Sequence, residues 1–255
     1  MKESIIQWIK DWFDTQSNGA EGIVIGISGG KDSTVVAKLC VEAIGKERVF
    51  GVLMPNGKQK DIADSQRVCD LLGIRYIVVN ISDMYYDFIR NISSEEITLS
   101  TEDHNVVFLS DETKVNICPR IRMTTLYAIA QTKNYRVAGT GNATERVLGY
   151  FTKWGDGACD FNPLGFLTCT EVIRLGLDLD LPEELINKAP SDGLTGKTDE
   201  EQSGYSYKEI DEVLLEKVDN GEIYEFIQKL YDKNEHKIQP IKMYETDKIY
   251  QSNSK

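Results

Sequence analysis

The sequence predicts an α/β protein, a parallel sheet with helices on both faces, followed by a more helical C-terminal part. Three observations carry this. Short apolar runs alternate with segments of helical period from residue 23 to residue 139. The first apolar run feeds a glycine-rich turn, and that turn feeds a helix. Beyond residue 139 the alternation stops and helical patterns dominate. Strands joined through helices run parallel and bury both faces, so they read as continuous apolar runs.

Residues 4–13 set Ile5, Ile9, Trp12 and Phe13 at helical spacing, and the aromatic set Trp8, Trp12 and Phe13 suits either a core or an interface. Residues 23–27 form the first strand, 33–44 a helix and 48–54 the second strand. Pro55-Asn56-Gly57 then breaks the chain. A helix over 61–72 ends before Gly73, and 74–79 is the third strand. A helix follows over 83–92. Residues 93–112 are polar and unpatterned, hence an exposed excursion. A long helix over 114–132 should kink or start at Pro119, and 135–139 is the fourth strand. After a connection rich in glycine and proline over 140–166, helices are expected over 170–177, 182–188, 207–216 and 223–234. The polar loop 190–204 reads as a lid or a solvated connector.

The chain has 255 residues, 41% hydrophobic and 27% charged, a globular composition with enough length for a substantial core. No apolar run approaches the length of a membrane span. Met1-Lys2-Glu3-Ser4 does not read as a secretory signal. The five cysteines, Cys40, Cys69, Cys118, Cys159 and Cys169, are scattered with no CxxC pair. Free thiols in a reducing cytoplasm are the expectation. A net charge of −12 argues against a nucleic-acid binder. It also means that any polyphosphate substrate needs local cations and a metal.

The chemistry concentrates in Gly26-Ile27-Ser28-Gly29-Gly30-Lys31-Asp32-Ser33-Thr34, between the first strand and its helix. Such a turn aims backbone N–H groups and the positive end of a helix dipole at an anion. The paired glycines let the backbone approach a phosphate. Ser28, Ser33 and Lys31 add donors, and Asp32 adds a carboxylate suited to Mg²⁺. The segment is not a Walker A loop, since Ile25 stands where the first glycine belongs and Asp32 follows Lys31. Nor does Gly139-Thr140-Gly141-Asn142-Ala143-Thr144 complete a dinucleotide fingerprint, because it lacks the third glycine. SGGxDS after a strand resembles instead the loop of the N-type ATP pyrophosphatases, which cleave ATP between the α and β phosphates.

Further blocks narrow the resemblance. They are Asn116–Met123, Thr140–Glu145, Gly149-Tyr150-Phe151-Thr152-Lys153-Trp154-Gly155-Asp156-Gly157-Ala158-Cys159-Asp160, Asn162-Pro163-Leu164, Pro190-Ser191, Thr198–Glu201 and His236-Lys237. In this order the chain resembles the ammonia-dependent NAD⁺ synthetases over nearly its whole length, as a single synthetase domain, 1–255. The resemblance implies a Rossmann-like, adenine-nucleotide alpha-hydrolase-like fold. It implies a homodimer that takes ATP, deamido-NAD⁺ and ammonia. The reaction expected is adenylation of the nicotinate carboxylate with loss of pyrophosphate, followed by displacement of AMP by ammonia.

By the same resemblance Asp32 and Glu145 are the catalytic carboxylates and the Mg²⁺ ligands. Glu145 also suits a plain helix-start role. Gly26, Ile27, Ser28, Gly29, Gly30, Lys31, Asp32, Ser33, Thr140, Cys169 and Ser191 fall at ATP-binding positions. Arg120, Lys153, Asp160, His236 and Lys237 fall at positions that bind deamido-NAD⁺. Thr140 also suits a helix cap, Asp156 a turn, and Gln59 a contact with adenosine. His104 is given no role. Two departures stand out. Cys169 replaces a usual lysine on the ATP phosphates, and Leu53 replaces a frequent arginine near the adenosine. A thiol supplies no ammonium charge, so weaker ATP binding or a changed metal dependence is expected unless Lys31 or Lys197 compensates. No glutaminase signature is present, which makes free ammonia the expected nitrogen donor. The competing classes are a tRNA-thiolating pyrophosphatase, which wants basic surface and paired cysteines, and a non-catalytic nucleotide binder, which needs neither Asp32 nor Glu145.

Overall fold

The computed structural model describes residues 1–58, 62–93, 109–188 and 204–244. Its sheet is organised around β1 (Gly22–Gly26), in which Ile23, Val24 and Ile25 are completely buried. β2 (Val49–Leu53) pairs with it on one side and β4 (Tyr135–Val137) on the other, while β3 (Arg75–Val78) lies beyond β2. All the pairings are parallel, with Ile23 opposite Val49, Val24 opposite Val137 and Val52 opposite Ile77. The expected alternation of strand and helix is therefore the observed architecture.

The period of a strand sends alternate residues of β1 to opposite faces. Ile23 and Ile25, with Ile27 just beyond, meet α1 (Lys2–Gln16) through Ile9 and Phe13. They also meet α2 (Lys31–Ile44) through Val35, Val36 and Leu39. Val24 joins Phe50, Val52 and Val137 against Ala130 and Leu126 of α5 (Asp111–Lys133). Helices thus cover both faces. α3 (Ile62–Leu72) and α4 (Ser82–Ser93) complete the crossovers. α1 is tied to the core: Phe13 is buried, and the Trp12 ring stacks on Phe161 with centroids 4.3 Å apart.

α5 is the long helix expected over 114–132, and Pro119 is not its start. It starts at Asp111, where the Ser110 side chain accepts the Thr113 N–H, and runs through Pro119 without ending. Proline removes one backbone hydrogen bond, and the remaining turns carry the helix past it. β4 is shorter than expected. After Val137 the chain leaves the ladder, and Ala138 bridges to Phe161.

The C-terminal part is helical as expected. It comprises α6 (Ala143–Leu148), α7 (Cys169–Asp178), α8 (Glu183–Ile186), α9 (Tyr207–Leu214) and α10 (Gly221–Ile238). Leu148, Cys169, Tyr207, Ile210, Ile223 and Ile227 form a second, smaller core among α6, α7, α9 and α10. The proposed lid and the polar excursion lie largely outside the described residues, as do Gln59, His104, Ser191 and Lys197.

Candidate active site

The chain lays down β1, β2 and β3 in one direction and then returns to add β4 on the other side of β1. The order therefore reverses between β1 and β4, and the crevice at the carboxyl ends of those two strands is where open α/β sheets bind ligands. The Gly26–Ser33 turn leaves β1 at that point, and the 138–142 connection leaves β4.

The turn is braced from within. The Ser28 hydroxyl accepts the Gly30 N–H at 3.2 Å and lies 3.1 Å from the Ser33 hydroxyl. Ser33 in turn accepts the Ser28 N–H and donates to the Gly30 carbonyl. Gly29 has φ +79°, and a Cβ there would sit 2.9 Å from the Ser65 backbone nitrogen. Only glycine fits that conformation against α3. Gly30 then caps α2 without a side chain, leaving its first-turn N–H groups facing the crevice.

Asp32 and Glu145 are brought together, and the link is Asn142. The Asn142 amide donates to Asp32 Oδ1 at 3.0 Å. The same residue caps α6: its Oδ1 accepts the Glu145 N–H, and Glu145 Oε2 accepts the Asn142 N–H at 3.0 Å. This is a capping box. The helix-start role of Glu145 and its placement opposite Asp32 therefore coexist. Burial, and then the neighbouring Asp32 charge, push the Glu145 carboxyl well above its ordinary value.

Lys31 ends in the same place, with its ammonium 2.8 Å from Asp32 Oδ2. Burial alone would lower its pKa; the Asp32 carboxylate beside it outweighs that and raises it. The Cys169 thiol, pushed up to about 12 mainly by burial, is neutral and lies against the Lys31 ammonium. A lysine is thus present beside residue 169, but it arrives from the turn and not from α7. The other departure, Leu53, is a fully buried strand residue.

A third residue set was not visible in the sequence. Thr144 Oγ1 accepts the Cys169 N–H at 3.0 Å and donates to Asp211 Oδ1 at 2.5 Å, while Asp211 Oδ2 accepts the Thr170 N–H at 2.7 Å. Asp211 is 1% exposed and ties the starts of α6 and α7 to α9. Its place in an amphipathic helix pattern gave no signal. Asn142 did have one, an Asn three residues before Glu at a helix start.

The remaining predicted residues form a second group. The Arg120 Nε donates to the Lys153 carbonyl at 3.4 Å, and Lys153 Nζ donates to the His236 carbonyl. Lys153 and His236 line a cavity of about 640 Å³ with Trp154, Glu235, Gln239 and Lys242. Lys237 is engaged elsewhere: its ammonium donates to the Gly149 and Phe151 carbonyls. Asp160 is also engaged, accepting the Val137 N–H at 2.7 Å and the Tyr127 hydroxyl at 3.4 Å. Asp156 makes the expected turn contact, accepting the Thr152 N–H. Its charge bears on Glu145, Arg122 and Lys237. Thr140 is half-buried on the connection that leads to Asn142.

A family model described as NAD synthase matches residues 1–253. The chain belongs to the NAD synthase family. It is 40% identical over 237 residues to an NH(3)-dependent NAD(+) synthetase of Carboxydothermus hydrogenoformans, covering 92% of this chain and 93% of that protein. Its fold is shared with a solved NH3-dependent NAD synthetase from Campylobacter jejuni at a TM-score of 0.73 and 30% identity, covering 96% and 97% of the two chains. It is shared also with an NMN synthetase from Francisella tularensis at 0.83 and 35%, covering 96% and 99%. The Rossmann-like α/β architecture expected from the sequence is that of the family.

Proposed function

We propose that the crevice between β1 and β4 activates the acceptor carboxylate of an ATP-dependent amidation. As a member of this family the chain is a carbon–nitrogen ligase: it amidates deamido-NAD⁺ with ammonia at the expense of ATP. A nicotinate oxygen attacks the α-phosphorus of ATP, and the bond to the bridging β-phosphate oxygen breaks. Pyrophosphate leaves with the electron pair. Ammonia then attacks the acyl-adenylate carbon, loses a proton and expels AMP. The tRNA-thiolating alternative is not favoured.

One observation carries the assignment of residues: the chain Asp32–Asn142–Glu145 at the reversal point, directly behind the braced turn. The N–H groups of the turn and the α2 dipole suit the departing pyrophosphate, and Lys31 supplies the ammonium that Cys169 lacks. Thr140 lies near enough in sequence to contact the nucleotide, and Ser191 is retained as an ATP contact by resemblance. Lys153 and His236 line a cavity of a size that suits the acceptor, and Arg120 holds the Lys153 backbone beside it. Asp160 and Lys237 act behind it, holding β4 and the 149–151 backbone.

The donors fit Mg²⁺. Asp32, Glu145 and phosphate oxygens make an oxygen-only set, and the Lys31 ammonium marks the spot as one that holds positive charge. Among the described residues no group of three or more His, Cys, Asp or Glu forms a protein-only cage. Mg²⁺ bound there would neutralise charge on the leaving pyrophosphate.

We further propose a cytoplasmic homodimer built of one synthetase unit over 1–255. All five cysteines are free thiols, and no helix among the described residues is long and apolar enough to cross a membrane. Tyr86 and Phe88 of α4 and Ile77 and Val78 of β3 are exposed apolar groups that suit a subunit contact.

A second reading concerns the acceptor. The TM-score of 0.83 to the Francisella tularensis NMN synthetase supports nicotinate mononucleotide, which carries the same carboxylate, as an alternative substrate. Product analysis with ATP, ammonium and each acceptor tests both. AMP, pyrophosphate and NAD⁺ from deamido-NAD⁺ at the higher kcat/KM support the main reading. Preference for the mononucleotide replaces it, and ADP plus phosphate contradicts the assignment of the turn.

A further inference from the structure

Lys31 is 5% exposed although it carries an ammonium. Its side chain leaves the first position of α2, passes the Cys169 thiol of α7 and lies 5.9 Å from the centroid of the Tyr207 ring of α9. A buried ammonium needs a charged partner, and the partner here is Asp32 Oδ2 at 2.8 Å, with Glu145 as the next carboxylate. Asp32 Oδ1 is held by Asn142. Both Asp32 oxygens therefore already receive a donor, and one of those donors carries a full positive charge.

A divalent cation drawn to Asp32 meets that ammonium at the same carboxylate, and like charges at such a separation repel strongly in a water-poor crevice. Lysine is suited to yield. It is a compact point charge on a flexible stem, and the uncharged thiol beside it gives a weaker hold than a carboxylate would. We infer that Lys31 and the divalent cation compete for Asp32, and that arrival of the metal with its nucleotide turns the ammonium from Asp32 toward the polyphosphate. This rests on Asp32 and Glu145 being the metal carboxylates.

The competition gives Lys31 opposite effects on its two ligands. With nucleotide absent, calorimetric titration with Mn²⁺ should show Lys31→Met binding the metal about tenfold more tightly than the unsubstituted protein. The same variant should bind ATP about tenfold more weakly, because the ammonium is missing from the phosphates. A merely structural lysine would not strengthen metal binding, so equal or weaker Mn²⁺ affinity in the folded variant overturns the inference. The unsubstituted protein supplies a test that needs no substitution. In crystals soaked with Mn²⁺ and a non-hydrolysable ATP analogue, Lys31 Nζ should leave Asp32 for a phosphate oxygen. Metal bound at Asp32 with the Lys31–Asp32 pair intact overturns the competition alone. Metal absent from both carboxylates takes down the metal assignment and the competition with it.

Discussion

Asp32 and Glu145 face each other across one asparagine, and the Asp32 charge bears on the Glu145 carboxyl. Replacing Asp32 with Ala removes the group that Lys31 and Asn142 hold. Formation of AMP and NAD⁺ is expected to fall by at least about 100-fold while the circular dichroism spectrum is retained; near-normal turnover would refute its role. Glu145 makes a prediction about pH. Its folded pKa is raised above the ordinary 4.5, so the folded state favours the protonated form. Its contribution to stability is full below about 4.5 and is lost as pH rises through the folded value. Glu145→Gln keeps the acceptor for Asn142 without the charge. In EDTA, its melting temperature relative to the unsubstituted protein should rise between about pH 5 and pH 8. A pH-independent difference would sink this account.

Elements converge here because their first turns are cross-linked. The turn before α2 depends on Gly29, where φ is +79° and the Ser65 nitrogen leaves no room for a Cβ. Gly29→Ala should cost about 1–3 kcal/mol in denaturant unfolding and, if the turn holds the phosphates as proposed, raise the KM for ATP more than that for the acceptor. α6 and α7 are joined through Thr144 and Asp211. Asp211→Asn keeps one acceptor but weakens two charge-assisted bonds. A loss of about 1–3 kcal/mol is expected, together with weaker Mn²⁺ binding, because Glu145 rides on α6. Unchanged metal affinity would confine Asp211 to stability. Much of this level was legible. Strand–turn–helix order, the caps and the SGGKDS turn are local signals. The long helix α5 was legible too; the alternative that it starts at Pro119 fails because the local penalty is outweighed by the turns on either side.

Across the whole molecule, the strand order β3-β2-β1-β4 decides where chemistry is placed. It sets residues 26–33 and 138–145 side by side although the chain separates them widely. α10, packed into the second core, brings the His236 carbonyl to Lys153, whose own carbonyl meets Arg120 of α5. The exposed apolar groups of β3 and α4 belong to the same scale. Sedimentation equilibrium should give the mass of two chains, and Tyr86→Glu should shift that equilibrium toward the monomer. A monomer at every concentration would rule out the homodimer.

The sequence by itself determined what is local: apolar periods that make strands and helices, a glycine turn that exposes backbone donors, and the capping pattern that holds Glu145 at a helix start. Only the tertiary structure decided which side chains are free to act. Lys237 and Asp160 prove to be fastened to backbone groups, Lys31 reaches the place beside Cys169, and Asn142 and Asp211 join helices distant in sequence. The reason is physical. A hydrogen bond across the fold depends on where packing sets two backbones, and no short stretch of residues encodes that distance.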